Sequence, residues 1–513
     1  MTTATPPLTL AEASRFLAHA GLFVSETDIQ YVIKNGKEAW INQQALLTFS
    51  TSRVNWLYSQ GYSNDANKNS TAGIDNVIWH HLIAEKNQFV QRITLFWSEF
   101  FVVSVLGLPL PWAQFLGASY LDTLEKYALG NFRDLLKAVT LSPAMGEYLN
   151  LAGSLKGAGN RHPDENYARE VMQLFTIGLE KLDIDGTSYG TPTYGQKDIT
   201  GLAAAFTGWN FDGDKNSFKY ATLPMKMTEG NHQSSTPNPF LGTTISAGTT
   251  GTQSLEIILD TLFKHPNVGP FVSKRLILRL VSSNPSPAYI SRVATVFNNN
   301  GKGVRGDMLA VIKAVLLDPE ANSFTGTYSS TTGRIREPML RLVQWARTFN
   351  VSTSTNLWGI GNTSSSSNSL GQSPLRAPTV FNYYDPSYVP PKTQPRDRAV
   401  ASPEMQITDE VSVVGYINYM QAVISNGVSD LKPDYSVQID LAKKDAKAQA
   451  KDANQLVSNL NLLLTSNQLS SSSITSISSA INAMSSKDDA AILNRVKAAI
   501  FLVMASPDYI VIR

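Results

Sequence analysis

Cysteine is absent from the 513-residue chain. That excludes disulfides, a thiolate nucleophile and any zinc or iron–sulfur site built on sulfur. A metal would have to be held by histidines and carboxylates, and histidine is scarce. There are six (His19, His80, His81, His162, His232 and His265), scattered except for one adjacent pair. Charged residues make up 16% of the chain, against about 25% in ordinary soluble proteins. The 43 Lys and Arg nearly balance the 41 Asp and Glu, leaving +2; no global field would attract nucleic acid or anionic lipid, and no nucleic-acid partner is expected. The N-terminus, MTTATPPLTLAEASRFLAHAG, lacks a basic n-region and an apolar h-region, so no secretory signal is visible. The uncharged run from Phe100 to Leu121 could span a bilayer by length, but it contains Gly107, Pro109, Pro111 and Gln114. It reads as a buried helix, a proline turn and a second helix, with no transmembrane segment.

What is present supports a large folded body: 42% hydrophobic residues, with 8 Trp, 19 Tyr and 21 Phe. Helical periodicity dominates. Leu10 to Ala20 follows Thr9 as N-cap, Glu26 to Asn35 stops before Gly36, and Lys37 to Leu47 continues the pattern. Further helices are predicted over 76–106, 112–129, 131–140, 143–151, 163–178, 196–206, 252–264, 267–282, 287–299, 304–317 and 338–350. The segment from Asn210 to Thr250, rich in Gly, Thr, Asn and Pro, reads as a long structured loop with one hairpin at most, and 470–479, a serine run, as a loop between helices. The expected fold is mainly α: a large multi-helix composite domain with long loops and at most a short β-hairpin. It divides into an N-terminal helical layer (1–70), a helical core (71–340), a Ser/Gly-rich then Tyr/Pro-rich loop region (341–404) and a C-terminal helical subdomain (405–513). Lys443 to Lys451 gives the first helix of that subdomain a solvated face. LLKAVTLSPAM at 135–145, VIKAVLLDPEA at 311–321 and VMASPDY at 503–509 share one pattern: an apolar helix end, then Ser or Asp before Pro at the first position of the next helix.

The most informative stretch is HPDENYAREVMQLFTIG, from His162 to Gly178. With Pro163 opening a helix, Glu165, Asn166, Arg169, Gln173 and Thr176 fall on one polar stripe opposite Tyr167, Val171, Leu174 and Phe175. Glu165 and Arg169 are spaced for an i,i+4 ion pair. Such a stripe suits a solvated face. Alternatively it lines a cleft in which Glu165 or Glu170 serves as acid or base, Arg169 clamps an anion, and His162 joins them.

In AAFTGWNFDG, Gly208 permits a sharp turn that could aim Trp209 at a ligand beside Thr207, although a Trp in that place more often caps a core. Asp212, Asp214 and Asn216 have the rhythm of a calcium loop, but Ser217 and Leu223 occupy the obligatory Gly and Glu positions, so an EF-hand is rejected. His80 and His81, adjacent on a helix, point different ways and match no ligand spacing, so no metal site is proposed from them. His265 suits a helix end, and His232 in the long loop is a candidate ligand contact. Tyr383, Tyr384 and Tyr388 could stack on sugar rings or bases, or simply pack. No Walker A, GxGxxG or GxSxG pattern occurs, and no cofactor is indicated.

These passages resemble a large bacterial family known as domain-of-unknown-function family 1800. The resemblance is carried by LFWSEFFVVS at 95–104, LLKAVTLSPAMGEYL at 135–149, DENYAREVMQLFTIGL at 164–179, DITGLAAAFTGW at 198–209, FLG at 240–242, HPNVGPFVSKRL at 265–276, LGQSP at 370–374 and TVFNYYDPSY at 379–388. It implies no established reaction. It does imply an exported protein, periplasmic or extracellular, encoded near sulfatase-like proteins and so with a sulfatase-like partner; the sequence itself leaves a cytoplasmic location open. The resemblance also implies histidines within the Phe-Trp run and near the end of the ENYARE helix, as many members of the family carry. Here Ser98, Phe100 and Phe175 stand at those positions, and Gln173 stands in place of a carboxylate.

Two readings follow. One is an envelope protein with a polar cleft on the ENYARE helix, binding an anionic or polyhydroxylated small molecule or glycan. The other is a noncatalytic exported scaffold in which the same residues form a buried network between helices.

Overall fold

The computed structural model describes residues 7–322, 333–391, 393, 400–448 and 455–513. Helices dominate. The first layer consists of α1 (Leu10–Ala20), α2 (Glu26–Asn35), α3 (Lys37–Leu46) and α4 (Arg53–Ser59). Thr9 caps α1 through a reciprocal box with Glu12, and Ser25 caps α2 by accepting from the Asp28 amide. Next come α5 (Ile74–Ala84), α6 (Gln88–Phe100), α7 (Ala113–Tyr127), α8 (Phe132–Thr140), α9 (Pro143–Tyr148), α10 (Asn166–Gln173) and α11 (Gln196–Ala205). They are followed by α12 (Gly251–Lys264), α13 (Val268–Leu280), α14 (Pro287–Asn298), α15 (Met308–Leu317), α16 (Pro319–Asn322) and α17 (Pro338–Thr348). The final layer is α18 (Glu410–Asn426), α19 (Ser436–Ala448), α20 (Gln455–Thr465), α21 (Ser471–Asn482), α22 (Asp489–Ala505) and α23 (Pro507–Ile510). Among the described residues no helix is long and apolar enough to cross a membrane.

The strands are short antiparallel pairs: β1 (Glu180–Leu182) with β2 (Ser188–Pro192), β3 (Trp209–Asn210) with β4 (Lys226–Met227), β5 (Asn238–Phe240) with β6 (Thr243–Ile245), and β7 (Arg334–Ile335) with β8 (Val511–Ile512). The fold is mainly α. One continuous hydrophobic core runs from Ala13 to Tyr509, and Trp40, Trp79, Trp97, Trp112 and Trp345 are fully buried in it. The chain's two ends meet: the Ser14 hydroxyl donates to the Leu462 carbonyl at 2.9 Å and lies 2.9 Å from the Ser466 hydroxyl.

The structure departs from the predicted elements in five places. The 210–250 segment, read as holding one hairpin at most, takes part in two strand pairs, β3 with β4 and β5 with β6. The stretch read as one helix over 76–106 is broken at Glu85, whose backbone is extended and whose side chain turns away to Ser50. The predicted 163–178 helix is only Asn166–Gln173. Asp164 accepts from the Asn166 amide and holds the preceding backbone in a turn, and Gly178, at φ 70°, follows the far end. Thr176 is therefore buried, donating to the Val171 carbonyl at 2.5 Å, and does not extend the polar stripe.

The serine run is a helix, α21, because Ser470 caps it and Ile477 and Ile481 bury one face, so packing overrides weak propensity. The α4 helix carried no prediction. The part of the Lys443–Lys451 run beyond Ala448 lies outside the described residues. The recurring Ser/Asp-Pro pattern forms the same joint three times, between α8 and α9, α15 and α16, and α22 and α23.

Candidate functional site

On α10, Glu165 pairs with Arg169 at 3.3 Å, both side chains partly exposed. Glu165 also accepts from the Gln196 amide, 2.9 Å to each oxygen, and from the Thr200 hydroxyl at 3.0 Å, so it ties α10 to α11. His162 is exposed, and Asn166 sits in the first turn of the helix. Glu170 faces inward. Its Oε2 is buried without a hydrogen-bond partner, and burial raises its pKa against the opposing pull of Arg169.

Thr207 and His232 are brought together in the interior. Nδ1 of His232 donates to the Thr207 carbonyl at 3.0 Å, its Nε2 lies 3.2 Å from the Ser254 hydroxyl, and the Gln233 amide donates to the Thr207 hydroxyl at 2.8 Å. Gly208, at φ 98°, turns the chain, and Trp209 is a core lid at the start of β3. These groups stitch the 210–250 segment down.

A cavity of about 490 Å³ lies beside the end of α10, within the range of small-molecule sites. Phe96, Glu99, Phe100 and Val102 enter it from α6 and its exit. Gln173 and Leu174 enter from the end of α10, and Phe271, Lys274, Arg275, Leu278 and Arg279 from α13. The Tyr-rich segment closes it with Phe381, Asn382, Tyr384 and Asp385. Of the residues singled out in the sequence for ligand contact, Gln173 and Tyr384 line this cavity; Glu165, Arg169, Glu170, His162, Asn166, Thr207, Trp209, His232, Tyr383 and Tyr388 do not. Phe100 lines it too, whereas Ser98 and Phe175 are buried in the packing around it.

Beneath the cavity lies a buried charge network. Glu337, just before Pro338 at the start of α17, accepts from Arg279 at 3.0 Å, Arg334 at 3.0 Å, Gln372 at 3.0 Å and the Tyr384 hydroxyl at 2.5 Å. The Arg279 guanidinium also contacts the Tyr384 hydroxyl and lies 4.1 Å from its ring centroid. Arg334 reaches on to Glu404 at 3.2 Å, and Arg92 donates to the Arg279 carbonyl at 2.7 Å.

Burial alone would raise Glu337, but Arg279 and Arg334 outweigh it and hold the carboxyl low. Glu99 goes the other way. Burial, then the neighbouring Glu337 carboxylate, push it well above the usual carboxylate range, and neither of its oxygens accepts a hydrogen bond. Arg279 approaches it no closer than 3.8 Å. Burial and the Glu337 carboxylate thus favour the protonated form of Glu99, whose hydrogen has Glu337 as its acceptor in the protein.

Arg275 completes the chemistry. Burial, and then Arg279, lower its pKa to about 10. It lies 5.2 Å from the Phe271 ring centroid and forms no ion pair or hydrogen bond among the described residues. The Asp385 carboxylate, in the same cavity wall, pulls that pKa back up without reaching ion-pair distance, so the half-buried guanidinium keeps donors free for a ligand.

Glu99, Arg275 and Arg279 were not picked out as site residues. A signal was present: Glu99 is the one charged residue between Arg92 and Asp122, and Lys274, Arg275 and Arg279 interrupt an apolar helix. Tyr384, offered as a stacking platform, instead packs against Arg279; Tyr383 donates to the Ser373 and Arg376 carbonyls at 3.0 and 2.8 Å.

A sequence family described as "Protein of unknown function (DUF1800)" matches residues 15–511. No curated protein and no solved structure matches the chain.

Proposed function

This chain belongs to the DUF1800 family, and from that premise we propose that its cavity binds a small amphipathic anion. The ligand's carboxylate, phosphate or sulfate group would meet Arg275, its apolar body would lie against Phe96, Phe100 and Phe271, and Glu99 would donate a hydrogen bond to it. The observation that carries this reading is the pairing, in one aromatic-walled cavity, of the Arg275 guanidinium, which makes no hydrogen bond or close ion pair among the described residues, with the Glu99 carboxyl, whose pKa burial and Glu337 raise.

The ligand would give Arg275 an acceptor and offer Glu99 a second acceptor besides Glu337. Glu99 is also positioned to pass its proton to a bound anion, so the same geometry serves general-acid chemistry. An envelope location, and a sulfatase-like protein as partner, belong to this proposal as implications of the family resemblance.

The test is calorimetric titration of the purified chain with decanoate, phenyl phosphate and phenyl sulfate, with benzyl alcohol as an uncharged control. At least one anion is expected to bind and the alcohol not to bind. Arg275→Gln should weaken binding about 10- to 100-fold, the worth of a charge-assisted hydrogen bond, with an unchanged melting temperature. Failure of all three anions to bind, or equal binding by Arg275→Gln, overturns the reading in favour of a scaffold whose buried network serves only packing.

A further inference from the structure

On the far side of α6 from the cavity, three potential metal ligands converge at the end of α5. One ligand atom each from His80, His81 and Glu85 lies within 4.8 Å of the others. The neighbouring imidazoles stand nearly perpendicular, 83° apart with ring centroids separated by 5.5 Å, so adjacency on the helix does not send their nitrogens apart as the sequence suggested.

Nδ1 of His80 is buried without a hydrogen-bond partner, and neither ring nitrogen of His81 makes a well-formed hydrogen bond, the Thr51 backbone being its one polar backbone neighbour. Buried nitrogens left short of partners on two neighbouring histidines need an explanation, and a bound cation is one. Burial keeps both rings neutral, the form that ligates. Glu85 accepts from the Ser50 amide at 2.9 Å and its hydroxyl at 2.5 Å, which fixes the carboxylate while leaving lone pairs for a metal.

Charges of both signs surround the site, and Arg53 acts on both imidazoles. Glu85, Glu125 and Asp122 face Arg53 and Arg347, three carboxylates against two guanidiniums. Arg53 is bound to Glu125 at 2.6 Å, Asp122 at 3.1 Å and Gln91 at 2.8 Å, and Arg347 donates to the Leu82 and Glu85 carbonyls. Glu125 Oε2 lies 3.8 Å from His81 Nδ1 and is within reach of a further position. Rings of Trp56 and Trp358 flank His80 at centroid distances of 6.0 and 5.5 Å.

We propose that His80, His81 and Glu85 bind one divalent transition-metal ion of the borderline class typified by Zn²⁺. Two imidazoles and a carboxylate suit that ion. Metal–ligand bonds of about 2.0–2.1 Å bring tetrahedral ligand atoms to roughly 3.3–3.5 Å of one another, so binding requires the two imidazoles to turn toward the carboxylate that Ser50 holds.

The experiment is titration of chelator-stripped full-length protein with Co²⁺ alone, then Zn²⁺, together with anomalous diffraction from a Zn²⁺-soaked crystal. The expected result is one equivalent of Co²⁺ giving visible d–d absorption, displaced by Zn²⁺. His80→Gln and Glu85→Gln should each weaken binding by at least about 10-fold, since even outer-shell changes cost that much. Absence of d–d absorption at millimolar Co²⁺, equal binding by both variants, or an anomalous peak away from the three residues overturns the proposal. Should the variants misfold, the wild-type anomalous peak decides alone.

Discussion

Glu99 and Arg275 show how much one side chain's meaning depends on its partners. Both are charged types inside apolar walls. One resolves the conflict by keeping its proton, whereas the other keeps its charge with a lowered pKa.

The Glu99 shift has a stability consequence. Unfolded, the carboxyl ionises near its ordinary pKa of 4.5; folded, it holds its proton to higher pH. Above the ordinary value the unfolded state binds fewer protons, so stability falls as pH rises from about 4.5 toward the raised folded pKa. Glu99→Gln keeps a neutral donor of the same shape facing Glu337. It is expected to leave stability at pH 4 nearly unchanged and to raise it by roughly 1–3 kcal/mol at pH 8, the range for relieving an unsatisfied buried group. Urea melts of both proteins at the two pH values check this, and parallel pH profiles would refute it.

Among elements, α11 illustrates why DITGLAAAFTGW has its composition. A Cβ on Gly201 would lie 1.8 Å from the Pro239 carbonyl oxygen in β5 and 2.9 Å from its carbonyl carbon, so only glycine lets the hairpin backbone lie on the helix. Gly201→Ala is expected to destabilise by about 3 kcal/mol or more, because backbone, unlike a flexible side chain, cannot step aside. Gly230→Ala is the control. Its Cβ would meet nothing within 4 Å, and its melting temperature should stay near wild type.

The same scale explains which elements were legible. Thr9 with Glu12, and Ser25 with Asp28, are local signals, and α1 and α2 occupy the predicted spans. The Glu165–Arg169 pair is equally local. The break at Glu85 depends on Ser50 and Arg347, which approach from distant parts of the chain. The helix in the serine run depends on the core that receives Ile477 and Ile481.

At the scale of the molecule, the first and last helical layers share one core, and β8 pairs with β7 beside the network under the cavity. Tyr509 is fully buried, with the Arg336 guanidinium 4.9 Å from its ring centroid and its hydroxyl without a partner. Tyr509→Ala should therefore cost about 3–5 kcal/mol. It should also lower the thermal transitions seen by tryptophan fluorescence and by far-UV circular dichroism together, because one core couples them. Tyr509→Phe should be neutral or slightly stabilising, since it removes only an unpaired hydroxyl. Separate shifts of the two transitions in Tyr509→Ala would mean that the layers unfold independently.

Periodicity, caps and proline positions, all interactions spanning a few residues, were enough for the sequence to settle the mainly α character, most helix spans and the repeated Ser/Asp-Pro joints. The passages that resemble the family were readable in the same way. The cavity was decided by tertiary structure alone, since its walls come from α6, α10, α13 and the Tyr-rich segment. Whether a glutamate is ionised, an arginine paired or two neighbouring histidines convergent depends on burial and on partners brought from far along the chain, and no local pattern encodes those.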